Sequence, residues 1–404
     1  MFRKTLRLLC LLFVCAGIAP DLLAQAGFVH ASGAQLVDGS GKPLILRGTN
    51  LGNWMEPEGY MFHLGDSAQS TREIEDLTRE LIGPENAESF WKAWREKYVT
   101  QADLDRLKAM GVNSVRVPIH WKFFTGDTAE GFRLLDRLVE WARNDGIYVI
   151  IDLHCAPGGQ TGANIDDSYG YPWLYLSPEA QQQTIELWRR IAAHYSKDST
   201  VLGYDLLNEP IPHFPQLRRF DGDLEPLYRR MVSAIREVDR NHVVILEGSR
   251  WDSDFKVFGK PFDGNAMYSF HKYWTAPDAS VIREYLDFRD KYQVPIWLGE
   301  SGENKDEWIA AFVKTLEENH IGWCFWPYKK MDATSSLVTF DQPAHWDAVI
   351  ALSKMPGGTG NAEKRIAARP SPEDAQAAFD DLLKKADFAS ERVNPGYVKA
   401  LGLR

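Results

Sequence analysis

Eight short, largely apolar segments recur along the chain, and their order is the sequence feature that most restricts its fold. They lie at 44–49, 113–118, 147–153, 202–207, 243–247, 266–270, 295–299 and 322–326. They form continuous runs rather than alternating between apolar and polar residues. Such runs are typical of parallel strands that are covered on both faces.

Helical patterns separate these segments. The clearest lies at 178–195, where Ser177, Pro178 and Glu179 supply a capping residue, a first-turn proline and an early acid. Others are predicted at 102–110, 132–144, 224–238, 280–291 and 306–319. This succession predicts an α/β fold, a right-handed (β/α)8 TIM barrel. A doubly wound open sheet is the alternative, but the segment RGTNLG at 47–52 lacks its G-x-G-x-x-G turn.

Both ends of the chain add structure to this barrel. The turn signal VDGSG at 37–41 predicts an N-terminal hairpin within 27–43 that closes the barrel floor. Extra C-terminal helices are expected in 343–404, where Ser371 caps a helix with Phe379, Leu382, Leu383 and Ala386 on one face. We expect that helix to pack outside the barrel, after a loop at 355–369. Residues 27–404 are therefore predicted to form a single domain.

The first 26 residues have the composition of a secretory signal peptide. Arg3, Lys4 and Arg7 precede an apolar run at 8–19, and Ala24-Gln25-Ala26 is a small-x-small cleavage signal. A membrane anchor is the alternative, but this run is too short to span a hydrocarbon layer of about 30 Å. We therefore expect cleavage after Ala26, export to the periplasm or the medium, and no membrane attachment afterwards.

The charge and the cysteines exclude several classes of protein. The net charge of −10 repels phosphate backbones, so nucleic acid is not an expected partner. Of four cysteines only Cys155 and Cys324 would remain after cleavage, too few for a disulfide scaffold. Their spacing offers no metal motif, and we expect a monomer with neither a metal nor a cofactor.

Polar side chains occur at or just after the ends of most predicted strands. They are Arg116, His154, Asn208, Glu209, His271, Tyr273 and Glu300, and the eighth strand ends in Trp326. Any one of them could serve the structure, as a surface pair, a core histidine or a helix N-terminal acid. Together they are hard to dismiss, because reactive groups of such barrels lie at the carboxyl ends of the strands.

Two glutamates from different strands at one mouth suit the hydrolysis of a glycosidic bond. One carboxyl group donates a proton to the leaving oxygen while the other attacks the anomeric carbon. The two must differ in protonation, and a neighbouring arginine favours the charged form. The sequence leaves open whether Arg116 faces Glu209 or Glu300. Retaining enzymes keep the two carboxyl groups about 5 to 5.5 Å apart, whereas inverting enzymes need roughly 6.5 to 9.5 Å.

Four segments carry a resemblance to a known family. They are VLGYDLLNEP at 201–210, PIWLGESG at 295–302, NSVRVPIHW at 113–121 and IDLHCAPGG at 151–159. With His271-Lys272-Tyr273 and Trp326, they resemble glycoside hydrolase family 5, the cellulase family. The resemblance extends from about residue 33 to residue 328 and implies a TIM barrel enzyme.

The resemblance also implies roles for individual residues. Glu209 would be the acid/base and Glu300 the nucleophile of a retaining double displacement, so we expect the shorter separation of their carboxyl groups, about 5 to 5.5 Å. Asn208 would hold the sugar 2-hydroxyl, while Arg116 and Tyr273 would orient and ionise Glu300. His154 and His271 would bind sugar hydroxyls or tune Glu209, and Trp326 would form the floor of the subsite that carries the attacked ring.

The segment RGTNLGNWMEPE at 47–58 resembles the opening of the exo-β-1,3-glucanase branch of that family. In that branch the acid four residues after the tryptophan, here Glu58, grips a terminal glucose. The alternative is that Trp54 and Glu58 merely pack beneath the first loop. The acidic and aromatic loop at 158–174 departs from the branch, which leaves linkage and chain-end preference open.

Three tryptophans that follow strands are candidate platforms for sugar rings, namely Trp173, Trp251 and Trp274. We expect one of the three to serve, with Trp173 among the candidate site residues. The adjacent acids Asp166 and Asp167 are expected to form a solvated loop pair.

The sequence therefore predicts an exported retaining β-glycosidase that acts on β-1,3- or β-1,4-linked glucans. A β-mannanase or other β-glycan hydrolase of the same family is an alternative. So is a non-catalytic sugar-binding barrel, although a binding protein has no need of both glutamates beside Arg116. A metal-dependent barrel hydrolase is disfavoured, because no His-x-His pair follows the first strand.

Overall fold

Eight parallel strands close into a barrel in the computed structural model, which describes residues 27–126, 130–163 and 165–404. The predicted signal peptide at 1–26 lies outside the described residues. The strands are β1 (His30–Ser32), β2 (Gln35–Val37), β3 (Arg47–Asn50), β4 (Ser114–His120), β5 (Tyr148–Cys155), β6 (Val201–Asp205), β7 (Val243–Glu247), β8 (Ala266–His271), β9 (Ile296–Glu300), β10 (Gly322–Phe325), β11 (Lys329–Met331), β12 (Val338–Phe340) and β13 (Arg392–Val393).

Helices surround the barrel and extend beyond it. They are α1 (Thr71–Ile82), α2 (Pro84–Lys97), α3 (Gln101–Met110), α4 (Glu130–Asp145), α5 (Pro178–Tyr195), α6 (Asp221–Val238), α7 (Arg283–Tyr292), α8 (Asp306–Glu318), α9 (Trp346–Ser353), α10 (Ala362–Ala368), α11 (Pro372–Lys385) and α12 (Pro395–Ala400). The six helices predicted between strands are all present, as α3 to α8.

The barrel consists of β3 to β10 in chain order, closed where β10 pairs with β3. Each of the eight predicted apolar segments supplies one of these strands, so the TIM barrel is confirmed. The main difference lies in β4, which continues to His120 because its pairing with β5 persists that far. Arg116 thus lies in the middle of a strand, paired with Asn50 on one side and Ile150 on the other, and its side chain is fully buried.

The N-terminal hairpin of β1 and β2 closes the barrel floor, as predicted. Val29 and Leu36 pack with buried barrel residues in a small apolar cluster separate from the main core. The barrel members of that cluster include Leu46, Ile245 and Trp297. This cluster shields the lower end of the barrel from water, so the accessible end is the one formed by the carboxyl ends of the strands.

Helices α1 and α2 lie between β3 and α3 and were missed by the sequence reasoning. A capping box formed by Ser70 and Glu73 starts α1, and Pro84 occupies the first turn of α2. The predicted C-terminal helix, α11, packs on them outside the barrel. Phe379 of α11 contacts the ring of Phe90 edge-on at 4.9 Å and that of Trp346 at 5.4 Å.

The segment 355–369 is not wholly a loop, which corrects the prediction. It contains α10, whose sequence AEKRIAA consists of good helix formers apart from one isoleucine. Arg365 ties α10 to the rest of the molecule. It forms an ion pair with Glu80 at 2.6 Å and donates a hydrogen bond to the carbonyl of Met355 at 2.6 Å.

A small three-stranded sheet of β11, β12 and β13 connects the barrel to the C-terminal segment. Lys329 of β11 is fully buried and forms an ion pair with Glu391, next to β13. Its Nζ also donates to the carbonyl oxygen of Tyr98 at 2.7 Å. A buried charge needs such partners, so this lysine holds the C-terminal segment against the strand ends.

None of the helices in the described part of the chain is both long enough and apolar enough to cross a membrane.

We predict that Phe379→Ala destabilises the chain by about 3 to 5 kcal/mol, because it opens a cavity among buried aromatic rings. The measurement is the free energy of unfolding in urea. Ile366→Ala is the control, since Ile366 is 74% exposed and its truncation should change stability by less than about 0.5 kcal/mol. Equal effects of the two variants would contradict the packing described for α11.

Candidate active site

Glu209 and Glu300 meet in one cavity of about 830 Å³ at the open end of the barrel. Glu300 ends β9, and Glu209 follows β6 by four residues. A carboxylate oxygen of one lies within 4.8 Å of a carboxylate oxygen of the other. Most other predicted site residues line the same cavity, namely Glu58, His154, Asn208, His271, Tyr273 and Trp326. Arg116 lies beneath them, and Trp173 does not line the cavity.

Arg116 faces Glu300, which answers the question left open by the sequence. Its Nη1 donates to Oε1 of Glu300 at 2.5 Å, and the hydroxyl of Tyr273 donates to Oε2 at 3.0 Å. Burial raises the pKa of Glu300 above its ordinary value, and the positive charges of His271 and Arg116 oppose that rise. Both oxygens of Glu300 are therefore held in a fixed direction by donors.

Arg116 also binds three acids that the sequence reasoning missed, namely Asp205 at 2.8 Å, Glu247 at 2.8 Å and Asp152 at 3.1 Å. Its other partners are Asn208 at 2.9 Å and Asn50 at 3.1 Å. Burial alone would lower the pKa of Arg116, but the surrounding carboxylates raise it well above its usual value. The missed acids interrupt or end apolar strand segments, and that position is the signal that could have revealed them.

Glu209 is aimed into the cavity by an unusual backbone. Its φ of 45° lies in the left-handed region, and its N–H donates to Oε2 of Glu247 at 2.5 Å. Its Oε1 lies 3.0 Å from Nδ1 of His271, and its side chain is 20% exposed against 7% for Glu300. Glu209 is thus the more accessible of the two carboxyl groups.

His271 carries a positive charge between several carboxylates. Burial lowers its pKa, but Glu247, Glu300 and Glu209 raise it well above the ordinary value of histidine. In turn, His271 and Arg116 bring the pKa of Glu247 down to about 2, although burial opposes this. His271 therefore connects the charge cluster around Arg116 to the partly exposed carboxyl group of Glu209.

His154 forms a second charged centre on the other side of the mouth. Its Nδ1 lies 2.7 Å from Asp152, and its ring is stacked on Trp326 at 5.7 Å. Burial lowers the pKa of His154, but Asp152, Glu56 and Glu300 together raise it to about 10. The imidazole is therefore charged at neutral pH. Its Nε2 lies 3.8 Å from Glu58.

The structure places Trp54 and Glu58 in different surroundings. The side chain of Glu58 lines the cavity, and its backbone N–H is held by Oδ1 of Asn53 at 2.8 Å. Trp54 packs beneath the loop instead, where its Nε1 donates to the carbonyl of Arg95 at 2.8 Å. Tyr60, two residues beyond Glu58, accepts a hydrogen bond from Nε1 of Trp326 at 2.6 Å.

Glu56 is a buried carboxyl group behind the cavity wall that the sequence reasoning did not single out. Its Oε1 accepts weak contacts from Thr71 and Cys155, and its Oε2 has no partner among the described residues. Burial raises the pKa of Glu56 to about 7, against the opposing charge of His154. This group titrates in the physiological range.

The predicted tryptophan platforms separate into two groups. Trp251 and Trp274 line the cavity, and Trp274 is 73% exposed. Trp173 lies outside it, where its ring contacts Tyr171 edge-on at 5.3 Å. The loop acids are not a solvated pair, because Asp166 is buried and accepts hydrogen bonds from the backbone of the same loop. Asp167 binds His120 at 2.8 Å.

Several groups of acids and histidines lie close enough together to bind a cation. One consists of Glu209, His271 and Glu300, and others surround Glu247, Asp152 and Glu56. Each group already contains or contacts a positive charge, from Arg116, His154 or His271. These positive charges therefore offset part of the negative charge of the carboxylates.

Comparisons with known proteins show what this chain resembles. A family model described as cellulase, glycosyl hydrolase family 5, matches residues 75–332. A β-xylosidase of Phanerodontia chrysosporium is 33% identical over 300 residues, which cover 70% of this chain and 59% of the relative. A glucan 1,3-β-glucosidase of Candida oleophila is 30% identical over 267 residues, 58% of this chain and 60% of the relative. The chain thus spans about three fifths of the length of these relatives.

A solved structure extends the comparison to the fold. The crystal structure of endogalactoceramidase matches with a TM-score of 0.60 at 19% identity, covering 93% of this chain and 84% of that one. At this identity the match shows a shared fold only.

We predict that Glu56→Gln becomes more stable relative to the wild type as the pH rises. The folded-state pKa of Glu56, about 7, exceeds the ordinary 4.5, so the proton stabilises the folded state below pH 4.5. That contribution is lost as the pH rises through 7. The difference in unfolding free energy should shift by up to about 3 kcal/mol between pH 4.5 and pH 8. The exposed Glu88→Gln is the control, and a pH-independent difference for Glu56→Gln would contradict the shift.

Proposed function

The chain belongs to the cellulase family, glycosyl hydrolase family 5, and from this premise we propose that it is a retaining β-glycosidase that hydrolyses β-linked glucans. The observation that carries the proposal is the convergence of Glu209 and Glu300 at the barrel mouth, with carboxylate oxygens within 4.8 Å of each other. This separation favours retention, because inverting enzymes keep their carboxyl groups roughly 6.5 to 9.5 Å apart to admit a water molecule.

In the first step Glu300 attacks the anomeric carbon. Arg116 and Tyr273 hold its carboxylate in place, so it need not reorganise as the new C–O bond forms. The bond to the leaving oxygen breaks, and Glu209 donates its proton to that oxygen. Glu209 takes this role because Arg116 and Tyr273 hold Glu300 as the nucleophile, which leaves Glu209 as the other carboxyl group of the pair.

In the second step a water molecule releases the sugar from Glu300. Glu209, now ionised, removes a proton from this water, whose oxygen bonds to the anomeric carbon as the ester bond to Glu300 breaks. The charged His271, 3.0 Å from Glu209, stabilises the ionised form between the two steps. At the end of the cycle Glu209 is protonated and Glu300 is ionised, as at the start.

The remaining cavity residues bind the sugar whose anomeric carbon is attacked. We assign the floor of this subsite to Trp326, whose ring face offers apolar contact to the sugar. Asn208, His154 and Glu58 present polar atoms around that floor. Among the relatives, the glucan 1,3-β-glucosidase supports a β-glucan as substrate. The linkage is to be measured by product analysis on β-1,3-glucan, β-1,4-glucan and mannan oligosaccharides.

We further propose that the chain is exported after cleavage at Ala26 and acts as a monomer on its glycan. The basic start, the apolar run and the cleavage signal within 1–26 support export.

We predict that Glu300→Gln lowers kcat by at least roughly a thousandfold, because the amide cannot form the glycosyl ester. The measurement is turnover of an aryl β-glycoside, together with binding of the same compound by calorimetry. Binding should persist, since Gln keeps the shape of Glu. Glu96→Gln is the control, because Glu96 pairs with Arg137 on the outer helices. A fully active Glu300→Gln variant would disprove the assignment.

For the wild-type enzyme, proton NMR of the reaction should show the β anomer as the first product.

We predict that the exported protein begins at Gly27 when the full chain is expressed in a bacterial host with a secretory pathway. The mass of the intact purified protein identifies the cleavage point. Replacing Ala24 and Ala26 with bulky leucines should leave the precursor uncut, because signal peptidase requires small residues there. An unprocessed wild-type chain found in the cytoplasm would contradict export.

A further inference from the structure

We infer, on the basis of the proposed function, that Glu303, held in place by Lys330, binds the hydroxymethyl group at C5 of the sugar that lies on Trp326. This pair would make the cavity selective for hexosides, such as glucosides, over pentosides, such as xylosides, which carry only hydrogen at that position.

Glu303 is held at the cavity wall by its surroundings. It lines the cavity three residues after Glu300, and its φ of 50° turns the chain between β9 and α8. The preceding Gly302 bridges to Trp326, and a Cβ on that glycine would lie 2.3 Å from the carbonyl oxygen of Trp326. The carbonyl of Glu303 accepts a hydrogen bond from Nε1 of Trp274 at 3.3 Å. The side chain is thus fixed beside the proposed floor of the subsite.

Lys330 completes the pair from the small C-terminal sheet. Its Nζ donates to Oε1 of Glu303 at 2.5 Å and lies 4.4 Å above the ring of Tyr60. The two side chains are only 13% and 18% exposed. Among the described residues, Oε2 of Glu303 accepts no hydrogen bond. One carboxylate oxygen is therefore available to a ligand hydroxyl, while Lys330, which does not itself line the cavity, fixes the direction of that carboxylate.

The order of the strands around the barrel identifies the sugar position that the pair would meet. With the anomeric carbon at the glutamate pair and the 2-hydroxyl at Asn208 after β6, the next polar groups are His154 on β5 and Glu58 after β3. Further along the closed barrel come Trp326 after β10 and Glu303 after β9. The ring carbons follow in the same sense, so C3 and C4 face His154 and Glu58, and C5 faces Glu303.

The chemistry of the pair favours a ligand that carries a hydroxyl group there. A xyloside would remove water from the Glu303–Lys330 pair without supplying a hydrogen bond in exchange. A site built to bind a substrate hydroxyl rejects the analogue that lacks it, because its buried polar groups remain unpaired.

The test compares 4-nitrophenyl β-D-glucoside with 4-nitrophenyl β-D-xyloside, which differ only in the hydroxymethyl group. We expect wild-type kcat/KM to favour the glucoside. Glu303→Gln should reduce the ratio of the two kcat/KM values by about tenfold or more, mainly through loss on the glucoside. Lys330→Met should act in the same direction, and it serves as a second variant if Glu303→Gln does not fold.

The matched control is Glu75→Gln. Glu75 pairs with Lys122 at 2.7 Å and its side chain is 15% exposed, but it does not line the cavity. Its replacement should leave the ratio unchanged. Equal losses on both substrates in the Glu303 and Lys330 variants would show a merely structural pair and overturn the inference.

Binding separates this inference from the proposed function. Calorimetry with the same two glycosides in the Glu300→Gln background requires no turnover. A binding preference for the glucoside that disappears with Glu303→Gln supports the inference, whether or not the wild type hydrolyses either compound. Absence of hydrolysis of both compounds by the wild type would count only against the proposed function. A preference that survives both Glu303→Gln and Lys330→Met would overturn the inference.

Discussion

The upper half of the barrel depends on one buried guanidinium group. Arg116 has no solvent exposure and pairs with four carboxylates, Asp152, Asp205, Glu247 and Glu300. A charge taken out of water persists only if it is paired and hydrogen-bonded, so these side chains cannot be replaced one at a time without leaving an unpaired charge. Because they come from separate strands, one residue sets the relative positions of β4, β5, β6, β7 and β9 at the level of the site.

Arg116 alone cannot balance the negative charge buried near it, and two histidines supply further positive charge. Both have a raised pKa because carboxylates surround them, so each adds a positive charge at neutral pH. Each also reaches a group at the cavity surface: His271 lies beside Glu209, and His154 is stacked on Trp326. The internal charge network thus ends at the two features on which the proposed chemistry depends, the acid/base carboxyl group and the sugar platform.

The sequence predicted the barrel because its signal is local and repeated: each apolar segment indicates a strand whatever happens elsewhere in the chain. It also predicted the residues that meet at the mouth, since strand ends converge in such a barrel. The partner of Arg116 could not be predicted, because it depends on side-chain directions across the barrel. Glu247 was missed because it reads as the ordinary end of an apolar segment, and Asp205 because its segment continues past it. Helices α1 and α2 were missed because they do not alternate with strands. Trp173 illustrates the same limit, since its loop position did not reveal that its ring lies outside the cavity.

Backbone conformation at the rim is the last element of the site, and it too depends on the barrel. Glu209, Trp251, Trp274 and Glu303 all have positive φ although none is glycine. Such conformations cost free energy and persist only where neighbouring contacts over-determine them. For Glu209 that contact is Glu247, itself fixed by Arg116, and for Glu303 it is Lys330. At Glu209 and Glu303, contacts with charged groups therefore hold cavity-lining side chains on a strained backbone. Substitutions that weaken the charge network around Arg116 should change the orientation of those side chains before they unfold the barrel. The floor and the outer helices are held by separate apolar clusters.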